Sequence, residues 1–182
     1  MKSTFDEAGG AGVAEPTRKM REEIVDWLKD AYAMERGLEA ALLKQSKEES
    51  LSAHVRERAS IHLEETKRHA EEVRSCLQQL GTDTSALKTG MGAIGQSAKG
   101  MMTMFANDQQ IKDLLDGYMM ENFEIASYTA LEAAADRAGF AQVAELCRRI
   151  IPDEERMAQA IIEAIPQEVE SHLFEKARES AD

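Results

Sequence analysis

Proline and aromatic side chains are scarce in this sequence, with three prolines and 5% aromatics among 182 residues. Set against abundant Ala, Leu, Met, Glu, Lys and Arg, that scarcity excludes a sheet-based architecture and fits a helical one. Cysteine is nearly absent: Cys76 and Cys147 are the only two. Both fall in helical patterns rather than a paired framework, which excludes a disulfide-stapled fold and reads as small buried thiols in a reducing cytosol. Net positive charge is lacking as well. A formal charge of -12 and a pI near 4.9, with no long basic run, repel a phosphate backbone and an anionic lipid surface. No apolar run approaches the length of a membrane span, and no N-terminal stretch joins basic residues to an apolar core. The expectation is a cytoplasmic protein that binds neither nucleic acid nor membrane. At this length one domain with a self-sufficient core is the default.

What is present is helical periodicity. Residues 1–17 carry early glycines and no periodic apolar set, so a flexible tail is expected there. From about Arg18 to Lys47, Ile24, Trp27, Leu28, Ala31, Leu38 and Leu42 share one face. A second helix is expected from about Ser52 to Leu80, with Val55, Ala59, Val73 and Cys76 inward and Gly81 as its C-cap. Residues 81–106 are broken by glycines and rich in methionine, which reads as a long connection holding a short helix. Asn107 or Asp108 can cap a third helix running to Arg137 and stopping at Gly139, with Leu114, Tyr118, Ile125, Tyr128, Leu131 and Ala135 on its stripe. A fourth is expected from Phe140 to Ala164, kinked at Pro152 and ended by Pro166, with Val143, Cys147, Ile150, Met157 and Ile161 inward. Residues 166–182 are left as a short helix or tail. The resulting fold class is all-α: a ferritin-like four-helix bundle over 18–165, made of two antiparallel pairs with one long crossover, plus a short accessory helix.

Several acids occupy positions meant for apolar side chains. Glu35 follows Leu28 by seven residues and precedes Leu42 by seven, so it lies on the inward stripe of the first helix. Glu121 and Glu124 share the track of Leu114, Tyr128 and Leu131, and Glu154 sits between Ile150 and Met157. In the second helix His62, Glu65 and His69 are adjacent on one face at spacings of three and four. A lone ionised carboxylate in a core is costly by several kcal/mol unless paired or bound to a cation. Among 34 acidic residues chance explains any one of them, and a single histidine is ordinarily a hydrogen-bonded core residue. Coincidence in all four helices points instead to a carboxylate-rich site for two divalent ions, iron or manganese. Which of His62 and His69 is a ligand stays open.

The segments Leu28-Lys-Asp-Ala-Tyr-Ala-Met-Glu35, His62-Leu-Glu-Glu-Thr66 and Glu121-Asn-Phe-Glu-Ile-Ala-Ser-Tyr128 resemble those of the DUF892 group of YciF-like, stress-associated bacterial ferritin-like proteins. The resemblance covers roughly Glu23 to Ile165. It implies a ferritin-fold homodimer with a dinuclear metal centre, with Glu35, His62, Glu65, Glu121, Glu124 and Glu154 as its ligands. Two departures stand out. Pro152 interrupts the family's run of acids in the last helix, and Ala158 stands where the family has an aspartate, which implies fewer than two ions at full affinity. The family's Met-Glu-Gly segment is Met91-Gly-Ala here.

Two functions follow. One is a dinuclear metal protein reacting with a small oxidant, oxygen or peroxide, under stress. In it Tyr118 and Tyr128 orient ligands or simply fill the core. The other is a non-catalytic bundle, with a degenerate or absent metal site, that acts as a dimer through protein partners. Arg36, Lys67, Arg68, Arg148 and Arg149 fall on outer faces and leave the inward acids without internal counter-cations, which favours metal.

Overall fold

A computed structural model of the chain describes residues 17–49, 51–82, 84 and 109–179. These form four helices, α1 (Arg18–Gln45), α2 (Ala53–Gln79), α3 (Gln109–Ala138) and α4 (Ala141–Glu179), and no strand occurs among the described residues. The expected N-terminal tail, the short crossover helix, the Met91 segment and the Asn107 or Asp108 cap lie outside the described residues.

Local chemistry sets the helix ends. The Thr17 hydroxyl accepts from the Met20 N–H at 3.2 Å, and the Ser52 hydroxyl accepts from the Val55 N–H at 3.2 Å, each satisfying an orphan donor of a first turn. Gly81 (φ 73°) and Gly139 (φ 76°) take the left-handed conformation after α2 and α3. The chain then turns back: the Thr82 N–H reaches the Leu77 carbonyl at 3.0 Å and the Phe140 N–H the Ala135 carbonyl at 2.8 Å.

The four helices close a ring in which α1 packs on α2 and α3, and α4 on α3 and α2. The main core joins Ile24 and Leu28 of α1, Val73 and Leu77 of α2, Leu131 and Ala135 of α3, and Val143 and Cys147 of α4. So the start of α1, the end of α2, the end of α3 and the start of α4 share one end of the bundle. Every packed pair is therefore antiparallel, and α2 ends at the opposite end of the bundle from where α3 begins. Each fully buried aliphatic side chain in this core contributes about 1.5–3 kcal/mol. A smaller cluster of Leu38, Leu42, Ala59 and Leu63 lies toward the other end.

Two expectations are corrected. α4 does not stop at Pro166 but runs unbroken through Pro152 and Pro166 to Glu179. Both prolines are solvent-facing, so the carbonyls of Arg148 and Ile162, which lose a helical partner, can be hydrated. Meanwhile Ala158, Ile161, Ala164 and Glu168 keep one buried stripe on either side of Pro166. Trp27 is 37% exposed, at the margin of the stripe set by Ile24, Leu28 and Ala31, and Tyr118, Ile125 and Met157 are likewise only half-buried.

Two glycines give opposite expectations. Gly139→Ala should destabilise by about 1 kcal/mol, because a Cβ is strained at positive φ. Gly37 is an exposed interior position of α1 where a Cβ would meet nothing within 4 Å, so Gly37→Ala should stabilise by about 0.5–1 kcal/mol. Urea unfolding of the two variants checks both signs.

Candidate metal centre

Between the two apolar clusters the inward stripe of every helix turns polar. Glu35 of α1, His62, Thr66 and His69 of α2, Glu121 and Glu124 of α3, and Glu154 of α4 are all at most 3% exposed. They arrive together because each replaces an apolar side chain at the same height of an otherwise regular stripe, and the spacing that buries Leu28 or Leu131 buries the acids too.

Among the described residues two groups of ligand-type atoms result, each within 4.8 Å of one another: His62, Glu121, Glu124 and Glu154 in one, and Glu35, His69 and Glu154 in the other. Glu154 belongs to both. His62 Nδ1 lies 3.4 Å from Glu121 Oε1, and His62 Nε2 lies 3.7 Å from Glu154 Oε2. His69 Nδ1 lies 2.8 Å from Glu154 Oε1 and 3.8 Å from Glu35 Oε1. Both histidines therefore face the carboxylates, one in each group.

These atoms are poorly satisfied by the protein. Glu35 Oε2, His62 Nε2, Glu121 Oε2 and both oxygens of Glu124 are buried without a hydrogen-bond partner, and His69 Nδ1 meets only Glu154. Such orphans are individually expensive. No Lys or Arg is among the buried charged residues of the described chain, so the acids are not matched by internal cations. Burial first, then the charge of Glu154, pushes the Glu35 carboxyl up to about 8, against the opposing pull of His69 and Tyr128. Burial and the neighbouring Glu154 push Glu121 up to about 9, and burial with Glu35 raises Glu124 strongly. Burial also acts to raise Glu154, but the imidazoles of His62 and His69 outweigh it and hold Glu154 down at about 2. One carboxylate is thus charged by its histidines and three are forced toward neutrality.

Glu65 is the exception among the expected ligands. It is half-buried, and its Oε1 takes a hydrogen bond from Arg156 Nη2 at 2.7 Å, outside both groups. The inward direction of α2 is defined by His62, Thr66 and His69, and at 100° per residue position 65 sits about 60° to one side of it, facing α4. Nearness in the helical wheel placed it with the histidines, but the axis of the bundle leaves it at the seam. Ala158 is buried on the same stripe as Glu154 and supplies no oxygen.

Three contributors were not singled out from the sequence. Thr66 is fully buried with an unpartnered hydroxyl between the two histidines; its place in the His62–Thr66 segment was the available signal. Glu168 is a further buried acid, far along α4. Asp153 Oδ2 stands 3.3 Å from His69 Nε2, on the side of the ring away from Glu154, and is itself held by Arg68, while Asp153 Oδ1 accepts from Arg156 Nη1 at 2.8 Å. Its own burial would raise the Asp153 carboxyl, but these partners hold it at about 2. His69 Nε2 thus meets Asp153 and, at 3.1 Å, Arg68 Nη2 on the outer side, which orients the ring with Nδ1 facing inward to Glu154. Only α4 packing against α2 creates that contact. Tyr128 is fully buried and donates its hydroxyl proton to Glu35 Oε1 at 2.5 Å.

The donor set of four carboxylates and two imidazoles, all converging and mostly unpartnered, fits hard or borderline divalent cations. A protein-family model described as "Domain of unknown function (DUF892)" matches residues 19–173. The chain belongs to the DUF892 family. Among solved structures, the crystal structure of a protein from Xanthomonas campestris pv. campestris is similar to this DUF892 chain at 33% identity, covering 87% of this chain and 99% of that one with a TM-score of 0.71. The family match continues past Pro166, as α4 of the DUF892 bundle does.

The raised carboxyls set a pH dependence for the metal-free DUF892 chain. Glu35, Glu121 and Glu124 keep their protons in the folded state to higher pH than in the unfolded state, where such groups titrate near about 4.3. The folded state then binds more protons from there up to about 8 for Glu35 and about 9 for Glu121, so stability falls as pH rises through that window. Glu154 and Asp153 act oppositely: their contribution is present above the usual carboxylate range and lost as pH falls toward about 2. Melting of the metal-free protein should therefore be higher near about pH 5 than near about pH 8.5, and Glu121→Gln should flatten the difference. A melting temperature that rises steadily to pH 8.5 in the absence of metal would contradict it.

Proposed function

We propose that this chain holds two divalent ions, iron or manganese, in the bundle core and reacts there with oxygen or peroxide, in the manner of a ferritin-like stress protein. The observation that carries the reading is the convergence of four buried carboxylates and two imidazoles with orphaned ligand atoms and no buried Lys or Arg among the described residues. Four carboxylates balance the charge of two divalent ions. His62, Glu121 and Glu124 would hold one ion, Glu35 and His69 the other, and Glu154, common to both groups, would stand between them.

When bound, such ions supply the electrons and Lewis acidity for reactions with oxygen or peroxide. The remaining contributions are those of the chain. Asp153 orients His69, Arg68 and Arg156 hold Asp153, and Tyr128 fixes one oxygen of Glu35 so that the other points inward. The Thr66 hydroxyl is available to hydrogen-bond a small molecule beside the histidines. The resemblance to YciF-like proteins supports placing the chain as a homodimer in the bacterial cytoplasm.

A second reading is a metal-free bundle acting through protein partners. The upward shifts of Glu35, Glu121 and Glu124 favour it, since neutral carboxyls can stay buried without a cation. Elemental analysis of protein purified from iron- and manganese-supplemented cells separates the two. About two ions per chain are expected for the wild type, with loss of both in Glu154→Gln and weaker retention, by about tenfold or more, in Asp153→Asn. Loading should also release protons from the raised carboxyls, read as acidification of weakly buffered protein. Absence of metal even after anaerobic reconstitution would leave the partner-binding bundle.

A further inference from the structure

Among the described residues, the half of the bundle beyond the centre is not filled. The main core packs one end tightly, whereas the other end has only the small cluster around Leu38 and Leu63 and holds a cavity of about 500 Å³ that opens to the surface. Its walls are largely apolar, with Leu38, Leu42, Val55, Leu114, Met157 and Ile161 facing it. Its inner end is formed by His62 and Glu121, two members of the candidate centre. Gly117 widens it further: a Cβ there would already stand 3.4 Å from Ile161 Cδ1. Unfilled apolar space of this kind forfeits packing, and its volume lies in the range of organic ligand sites.

One polar group in the wall lacks a partner. Arg58 stands about one turn of α2 from His62, toward the open end, and its Nη2 is buried with no hydrogen-bond acceptor. Glu168 and Glu163 interact with its charge without accepting from that nitrogen. An incoming molecule is therefore asked for an acceptor oxygen but not for a negative charge. The rim carries Glu48, Asp113, Asp116 and Glu168 beside Lys44, His54 and Arg58, while the walls further in are apolar.

We propose that this cavity binds an elongated, uncharged aliphatic molecule bearing one oxygen function, such as an alcohol or aldehyde, with the oxygen on Arg58 and the chain directed toward His62 and Glu121. The proposal deepens the metal-centre reading, on which it rests for calling the bound molecule that centre's substrate. Binding itself does not need the ions, so the two can fail separately.

The test is calorimetric titration of the full-length, metal-free protein with 1-decanol and with decanoate. Saturable binding of about one decanol per chain is expected, with decanoate about tenfold weaker because its charge would be desolvated between apolar walls. Arg58→Met should weaken decanol by about tenfold through the lost hydrogen bond. Ala59→Phe, or Ala164→Phe if the first does not fold, should abolish binding by filling the space while metal content stays at the wild-type level. No saturable decanol binding, binding unchanged in the filled variant, or a preference for decanoate would each overturn the proposal. Decanol binding by a protein that takes up no metal would overturn the metal-centre reading alone.

Discussion

The cost of burying like charges governs this bundle. Four glutamates meet at mid-height in a space that excludes water, where each ionised group loses solvation and gains three repelling neighbours. The protein answers only part of that cost. Two histidines support Glu154, and Tyr128 supports one oxygen of Glu35. The main core at the other end, tightly packed from Ile24 to Ile150, supplies the stability that lets the polar layer persist. Without cations the remaining acids can stay buried only by keeping their protons, which ties the fold of the metal-free chain to pH. With divalent cations the same orphaned atoms would serve as ligands, and the repulsion would become affinity.

The arrangement also divides the labour between the two ends. Toward the start of α1 the stripes are continuous and the helices interdigitate. Toward the end of α1 the stripes are present but the side chains are smaller or set back, as with Ala59, Gly117 and Ala164. The polar layer thus has a packed floor and an open approach. Asp153, Arg68, Arg156 and Glu65 form an ion-paired brace on the α2–α4 seam. It stiffens His69 from outside the core without adding charge to it.

Most of the fold was legible because it rests on local signals. Seven-residue spacing placed Glu35 on its stripe, the Leu114–Leu131 track placed Glu121 and Glu124, and Gly81 and Gly139 marked helix ends through a conformation few other residues accept. Differences arose where a tertiary axis decides. Glu65 and Trp27 are close in the wheel to inward residues, and only the direction of the neighbouring helix assigns them to the margin. Pro166 is a sound stop signal in isolation, but a solvent-facing proline on a helix whose inner stripe continues through Glu168 does not stop it. Asp153 and the cavity depend on contacts between segments far apart in sequence, the first on α2 meeting α4 and the second on what four helices fail to fill. No periodicity within one helix carries either.

The central claim, that the buried carboxylates exist to hold two cations, is tested most directly by anomalous diffraction from crystals grown with manganese, recorded near the manganese edge. The account predicts two peaks per chain in the bundle core, one beside His62, Glu121 and Glu124 and one beside Glu35 and His69, with Glu154 between them. Peaks confined to surface acids, or none in crystals of otherwise intact protein, would contradict it.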